Sequence, residues 1–322
     1  MFLLTCKVEI GNYVFHQVNE IEITKSVDEM SDTATIKLPK RFKVRDNGED
    51  KVVETAIKIG DKVIITLGYK GHYSGVEFVG YVKKISAKIP VEIHCEDAIW
   101  LLRRKNITKS WEHCTLRDLL EEVVKDTPLQ LADNIPTVKL DKWIIKNANG
   151  AQVLESVRKD LLMSIFINDE GKLYCGLEQL INVGQTVVYD LNYNLVSNDL
   201  DYKTEEDRRV KIEYEYIDPK TNKRKFVEVG DADGEKRSFK TSKVSNEADL
   251  KKMAESELKK MKYEGFDGDV TSFLIPYSTR GMKAKLLDKE RPQREGNYFI
   301  KKVVTTFGTA GARRKVSLAN KL

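Results

Sequence analysis

Apolar and polar positions alternate in short runs over roughly the first hundred residues, shift to helical spacing in the middle of the chain, and return to alternation afterwards. "TCKVEI" and "YVFHQV" flank Gly11-Asn12, a hairpin turn signal. In "NEIEITKS", Ile21 and Ile23 oppose Glu22 and Thr24. In "DTATIKL", Ala34, Ile36 and Leu38 oppose Lys37, and Pro39 ends the run. After a charged loop come "GDKVIITLGY", "VEFVGYVKKIS" and "PVEIHCEDA". Short strands spaced in this way predict an antiparallel barrel or sandwich.

The period then becomes 3.6. Leu116, Leu119, Leu120, Val123 and Val124 form one apolar stripe, with Thr115 as the expected N-cap, Asp118 three residues on, and Pro128 closing the helix. Val153, Leu154, Val157 and Leu161 make a second stripe. "SIFIN" then turns through Asp169-Glu170-Gly171 into "KLYCGL". From about residue 185 strands resume. "RRVKIEYEYI" sets Val210, Ile212, Tyr214 and Tyr216 against Lys211, Glu213 and Glu215. One long helix, 246–263, begins at an Asn246 cap and carries the stripe Leu250, Met253, Ala254, Leu258 and Met261. "RGMKAKLLD", "GNYFIKKVVTTF" and "RRKVSLANKL" end the chain as strands.

The expected fold is therefore α+β and mainly β: two antiparallel β-barrel domains, 1–98 and 183–322, flanking a small α/β domain, 99–182. The barrels are linked by a repeated phrase, "FVGYVKKI" at 78–85 and "NYFIKKVV" at 297–304. Each phrase follows a Gly-led strand, at Gly60 and at Gly281, and precedes a third strand, "VEIHCE" or "RKVSLA". On a strand the two lysines face opposite sides, so neither phrase makes one basic patch. Three copies of a two-barrel chain about a three-fold axis would present six similar barrels in a ring. The match being fortuitous is the other reading, since Gly-strand-loop-strand is common in β proteins.

Composition narrows this picture. At 322 residues, 41% hydrophobic and 33% charged, the chain has the size of two or three domains and a well-solvated surface. The N-terminal "MFLLTCKVEI" reads as a first strand and not a signal peptide, and no run is long and apolar enough to span a membrane. A net charge of +5 from 55 basic and 50 acidic residues is not the concentrated excess of a dedicated nucleic-acid binder. Cys6, Cys95, Cys114 and Cys175 are widely spaced, the pattern of reduced, buried thiols.

Candidate chemistry is sparse. His94-Cys95 and His113-Cys114 invite a zinc site, but neighbours on a strand point to opposite faces. "GDADGE" suggests a calcium loop through Asp231 and Asp233. Its twelfth position is Ser242 where a glutamate is needed, so a polar turn is expected. Glu205, Glu206 and Asp207 read as a solvated loop. No catalytic, cofactor-binding or metal-binding residue is assigned.

The succession "EIEITKSVDEMSDTATIKLPK", "GDKVIITLGY…FVGYVKKI", "TLRDLLEEVVKD", "VLESVRKDLLMSIFINDEGKLY" and "GNYFIKKVVTTF" resembles the baseplate hub proteins of contractile-tailed bacteriophages, including the late control gene D group. It also resembles the N-terminal part of the type VI secretion spike. The likeness covers nearly the whole chain, as element order and short phrases. It implies a non-enzymatic structural protein of the virion tail baseplate, assembled in the host cytoplasm. It further implies a homotrimer adapting a hexameric tail tube to a three-fold central spike, with DNA passing through the lumen. Lys83, Lys84, Lys301, Lys302, Arg313 and Arg314 are then candidates to line that channel, though solvated strand faces are the preferred reading, since a channel that passes DNA should not grip it. Because the sequence stops after the second barrel, the needle is expected to be another protein. A nucleic-acid-binding β-barrel and a tail-associated cell-wall hydrolase are the alternatives.

Overall fold

The computed structural model describes residues 3–43, 48–161, 163–176, 185–217, 221, 223–240 and 247–322, with the side chains of residues 141 and 249 left aside. The first half is built from β1 (Leu4–Ile10), β2 (Tyr13–Phe15), β3 (Glu20–Ser26), β4 (Thr33–Leu38), β5 (Arg41–Lys43) and β6 (Asp50–Val52). A one-turn α1 (Val53–Ala56) leads to β7 (Lys62–Tyr69), β8 (Tyr73–Ser86) and β9 (Val91–Glu96). The alternation read from the sequence decides which faces are buried: Ile21, Ile23, Ala34, Ile36 and Leu38 point into one core with Val63, Ile65, Val82 and Ile93. Gly11 takes φ 55° in the β1–β2 turn.

A short α2 (Ile99–Leu102) opens the middle unit. It continues with β10 (Asn106–Thr115), α3 (Leu116–Val124), β11 (Lys139–Asn149), α4 (Gly150–Leu161), β12 (Ser164–Ile167) and β13 (Leu173–Gly176). Both helical stripes pack into a second core, with Leu161 half-buried at its edge. Thr115 and Asp118 form a reciprocal capping box: Asp118 N donates to Thr115 Oγ1 at 3.2 Å, and Thr115 N donates to Asp118 Oδ2 at 2.8 Å.

The remainder consists of β14 (Thr186–Asp190), β15 (Ser197–Lys203), β16 (Val210–Ile217), β17 (Arg224–Gly230), β18 (Glu235–Lys240) and α5 (Glu247–Met261). It ends with β19 (Gly265–Ser272), β20 (Lys283–Leu287), β21 (Gly296–Gly308) and β22 (Gly311–Lys321). Asn246, the expected cap of the long helix, lies outside the described residues, as does Ser242. The helix is not a lone insertion. It packs with β16–β18 around its own core of Val210, Ile212, Tyr214, Tyr216, Val227, Leu250 and Ala254.

Among the described residues the two halves do not form separate closed barrels. Their strands join one 13-stranded sheet along the path β15-β19-β22-β21-β3-β4-β9-β8-β7-β1-β2, with β20 on β21 and β14 on β20. The joint is β3 pairing antiparallel with the C-terminal stretch of β21, from Lys302 opposite Ser26 to Gly308 opposite Glu20.

Within that sheet the halves repeat one strand order. The first reads β1-β7-β8-β9-β4-β3 and the second β14-β20-β21-β22-β19-β15. They differ in that β14 runs parallel to β20 whereas β1 is antiparallel to β7. The correspondence extends to single residues. Gly60 (φ 94°) and Gly281 (φ 83°) each donate N–H to the central strand, at Val82 O and Ile300 O, both at 2.8 Å. Only glycine holds such φ values without steric cost.

Immediately after Val82 and Ile300 both ladders carry a bulge. Val82 pairs with Cys95 and Lys84 with His94, leaving Lys83 as the extra residue. Ile300 pairs with Leu318 and Lys302 with Ser317, leaving Lys301. The repeated lysine pair is therefore a shared bulge. This corrects the expectation that the lysines alternate: an extra residue breaks the period of two, and Lys83 and Lys84 are both exposed beside a buried Val82.

Candidate assembly surface

The six residues considered as channel lining separate into unlike environments. Arg314 cannot face a channel. It is 1% exposed and forms a buried ion pair with Glu77, also 1% exposed, at 2.8 Å. Its guanidinium also donates to Ser278 O (3.1 Å), Thr305 Oγ1 (3.3 Å) and Leu274 O (3.3 Å). Burial acts to discharge Arg314, but Glu77 outweighs it and holds its pKa above the ordinary value. Glu77 reaches the interior because it sits where the β7–β8 register shifts, between Phe78 opposite Ile65 and Val76 opposite Thr66. Tyr73 donates to the same carboxylate at 2.7 Å. Tyr69 adds a second tie between the halves, donating to Ala312 O and accepting from Leu274 N, each at 3.2 Å.

The other five are nearer the surface. Lys83 pairs with Glu96 at 3.3 Å, Lys302 with Glu29 at 3.7 Å, and Arg313 lies over the Phe273 ring at 4.9 Å. Lys84 is exposed and Lys301 half-buried.

A second buried charge cluster ties Arg280 of the C-terminal half to both the first half and the middle unit. Arg280 pairs with Asp32 at 2.9 Å, donates to Ile167 O, and stacks on Phe166 at 4.6 Å. Asp97 accepts from Asp32 N (2.8 Å) and Ile99 N (2.9 Å). Burial pushes Asp32 up to about 6 against the pull of Arg280, and pushes Asp97 well up, with the Asp32 charge adding to it. At Asp169 burial is outweighed by Lys25 and Arg280, which hold the carboxyl below its ordinary value. Lys25, Asp32, Glu77, Asp97, Asp169 and Tyr277 line a half-open cavity of about 430 Å³.

None of this assembles a reaction centre from the residues singled out by sequence. His94 lies on β9 with its Nδ1 3.3 Å from Thr35 Oγ1, while His113 and Cys114 belong to the β10–β11 sheet. Asp231 is taken by Lys262 (2.7 Å) and Asp233 by Arg209. Among the described residues no three His, Cys, Asp or Glu side chains gather as a metal site, and no helix is long and apolar enough to cross a membrane. Asp207 caps its own turn through Thr204 N and Oγ1. The buried ion pairs were not legible in sequence. Their one trace was Glu77 within the apolar and aromatic run "VEFVGYV".

Of the sheet edges left unpaired among the described residues, two correspond to the internal β3–β21 joint. β15 ends the strand path, so its outer edge has no neighbour. On β8, the β7 ladder stops at Tyr81, and Asp61 and Gly60 continue the bonding only to Val82. Beyond it no strand pairs with the edge from Lys83 to Ser86, where Ser86 O accepts from Lys88 N at 2.8 Å within the turn, whereas the matching stretch of β21 is covered by β3.

No family model matches the chain, and no curated protein matches it. Solved structures do. The fold is similar to a 43 kDa tail protein of prophage MuSo2 from Shewanella oneidensis, at 15% identity and TM-score 0.69 over 99% of this chain and 98% of that one. A tail protein from Neisseria meningitidis aligns at 13% identity and TM-score 0.67 over 98% and 96%. An Escherichia coli component of the type VI secretion system, described as structurally similar to bacteriophage T4 tail proteins, aligns at 10% identity and TM-score 0.59 over 98% and 77%. The chain thus shares the fold of phage tail and type VI secretion proteins along nearly its full length.

Proposed function

We propose that this chain is a structural, non-enzymatic hub of a phage-like tail. Three copies surround an axis and present six similar sheet units to a hexameric tail tube on one side and a three-fold spike on the other. DNA passes through the lumen. In this reading residues 1–98 and 183–322 are the two ring-forming domains and 99–182 the α/β domain between them. The virion baseplate is its location, and tube, spike and other baseplate components are its partners.

The observation that carries the reading is the repeat of strand order, glycine and bulge within one chain that has a tail-protein fold. A repeated unit lets a three-fold assembly meet a six-fold one with similar contacts at each position. The nucleic-acid-binding β-barrel alternative, which would stack bases on exposed aromatics, lacks support in "IEYEYI", because Tyr214 and Tyr216 are buried in the core shared with α5.

Sedimentation of the purified chain, alone and mixed with the tube protein of its own tail, tests the proposal. The expected species has three copies of the 36.9 kDa chain and binds the end of the tube. A chain that remains monomeric in both conditions sinks it.

A further inference from the structure

We infer that β15 of one copy adds to the bare edge of β8 in the next copy, antiparallel, in the register that β3 already holds on β21 inside the chain. The inference rests on the trimeric reading above and specifies which surfaces make its joints.

The internal joint supplies the template. Strand by strand, β3 corresponds to β15 and β21 to β8. Residue by residue, Ile300 corresponds to Val82 through the shared glycine bond and bulge. On the other strand, Ile23 opposes Ala34, which opposes Cys95; Leu200 opposes Gly268, which opposes Leu318. Cys95 and Leu318 are the partners of Val82 and Ile300, so Leu200 occupies the place of Ile23. Thr305 opposite Ile23 then translates into Ala87 opposite Leu200. The neighbouring pairs follow as Ser86 with Asp201, Ile85 with Tyr202 and Lys84 with Lys203.

The chemistry of the two edges agrees with this register. β15 carries exposed Asp199 and Asp201. The β8 edge and its turn carry Lys84 and Lys88, placed diagonally to Asp201 and beside Asp199. The like-charged pair Lys84–Lys203 is eased because Lys203 lies 3.4 Å from Asp267 in its own chain. Ile89, 84% exposed at the tip of the β8–β9 turn, comes over the inner face of β15. Joint and template alternate around the ring, so six units close it when each turns by about 60°. The same pairing covers the end of β8 and the facing stretch of β15, bare edges being otherwise an aggregation hazard.

Cysteine cross-linking reads the register directly. Facing Cα atoms in an antiparallel pair lie about 4.5–5.5 Å apart, within disulfide reach. Ser86→Cys with Asp201→Cys, in a full chain whose partly exposed Cys6 and Cys114 are changed to Ser, is expected to give covalent dimers and trimers on oxidation. Ser86→Cys with Asp199→Cys, two residues out of register on the same face, is expected to stay monomeric on a denaturing gel, as are the single variants. A trimer by sedimentation that fails to cross-link at 86–201 overturns the edge pairing and leaves the hub reading standing. A chain that never leaves the monomer, with or without the tube, overturns both.

Discussion

At the scale of single residues, the interior depends on charges placed by backbone irregularities. Removing one partner of a buried ion pair leaves the other desolvated and uncompensated, a larger loss than replacing both. Glu77→Gln is therefore expected to destabilise the chain by about 3 kcal/mol in urea unfolding. Glu77→Leu combined with Arg314→Met should cost clearly less than the two single changes added together. Strict additivity would show that the pair is not coupled.

Asp32 predicts a pH dependence. An acid that binds its proton more tightly folded than unfolded stabilises the fold below its unfolded pKa, near 4, and loses that contribution as pH rises through its folded value of about 6. The melting temperature of Asp32→Asn relative to wild type should accordingly rise between pH 4 and pH 7. A difference that is flat, or falls, over that window contradicts the assignment.

Among elements, the bulge is the informative feature. Lys83 is the residue without a partner on β9, so its deletion lets Val82 and Lys84 meet Cys95 and His94 in an unbroken ladder. That deletion should retain a cooperative melt by circular dichroism. Deleting Val79, whose side chain is also largely exposed, removes a residue in mid-ladder opposite Ile64. It exchanges the faces of every residue on one side of the cut and should abolish the cooperative transition. Equal tolerance of both deletions would mean that strand register is not what the core selects.

For the molecule as a whole, one continuous sheet joins two strand units of the same order. The β3–β21 joint is formed once internally, while its counterpart edges, β15 and the end of β8, lie at separate places along the sheet. A chain so built has an unfilled donor and acceptor row at each counterpart edge. In the proposed assembly another copy supplies the strands that match both.

Much of the local structure was legible without coordinates. The Gly11 turn, the 116–124 stripe with its Thr115–Asp118 cap, and the Asp169-Glu170-Gly171 hairpin each follow from a few adjacent residues. So does the buried face of "VKIEYEYI". Propensity, capping and period are local properties, and the sequence carries them directly. The repeated lysine phrase was visible too, but its meaning was not. A bulge depends on which partner residues lie across the ladder, and that pairing is not local.

What the chain order alone determined was a mainly β protein with an α/β insert and two similar strand units. The tertiary structure decided that these units share one sheet instead of closing as barrels, because β3 pairs with a strand nearly three hundred residues away. It also decided that Arg314 is an internal counter-ion and not a channel-facing cation, because a register shift carries Glu77 inward to meet it.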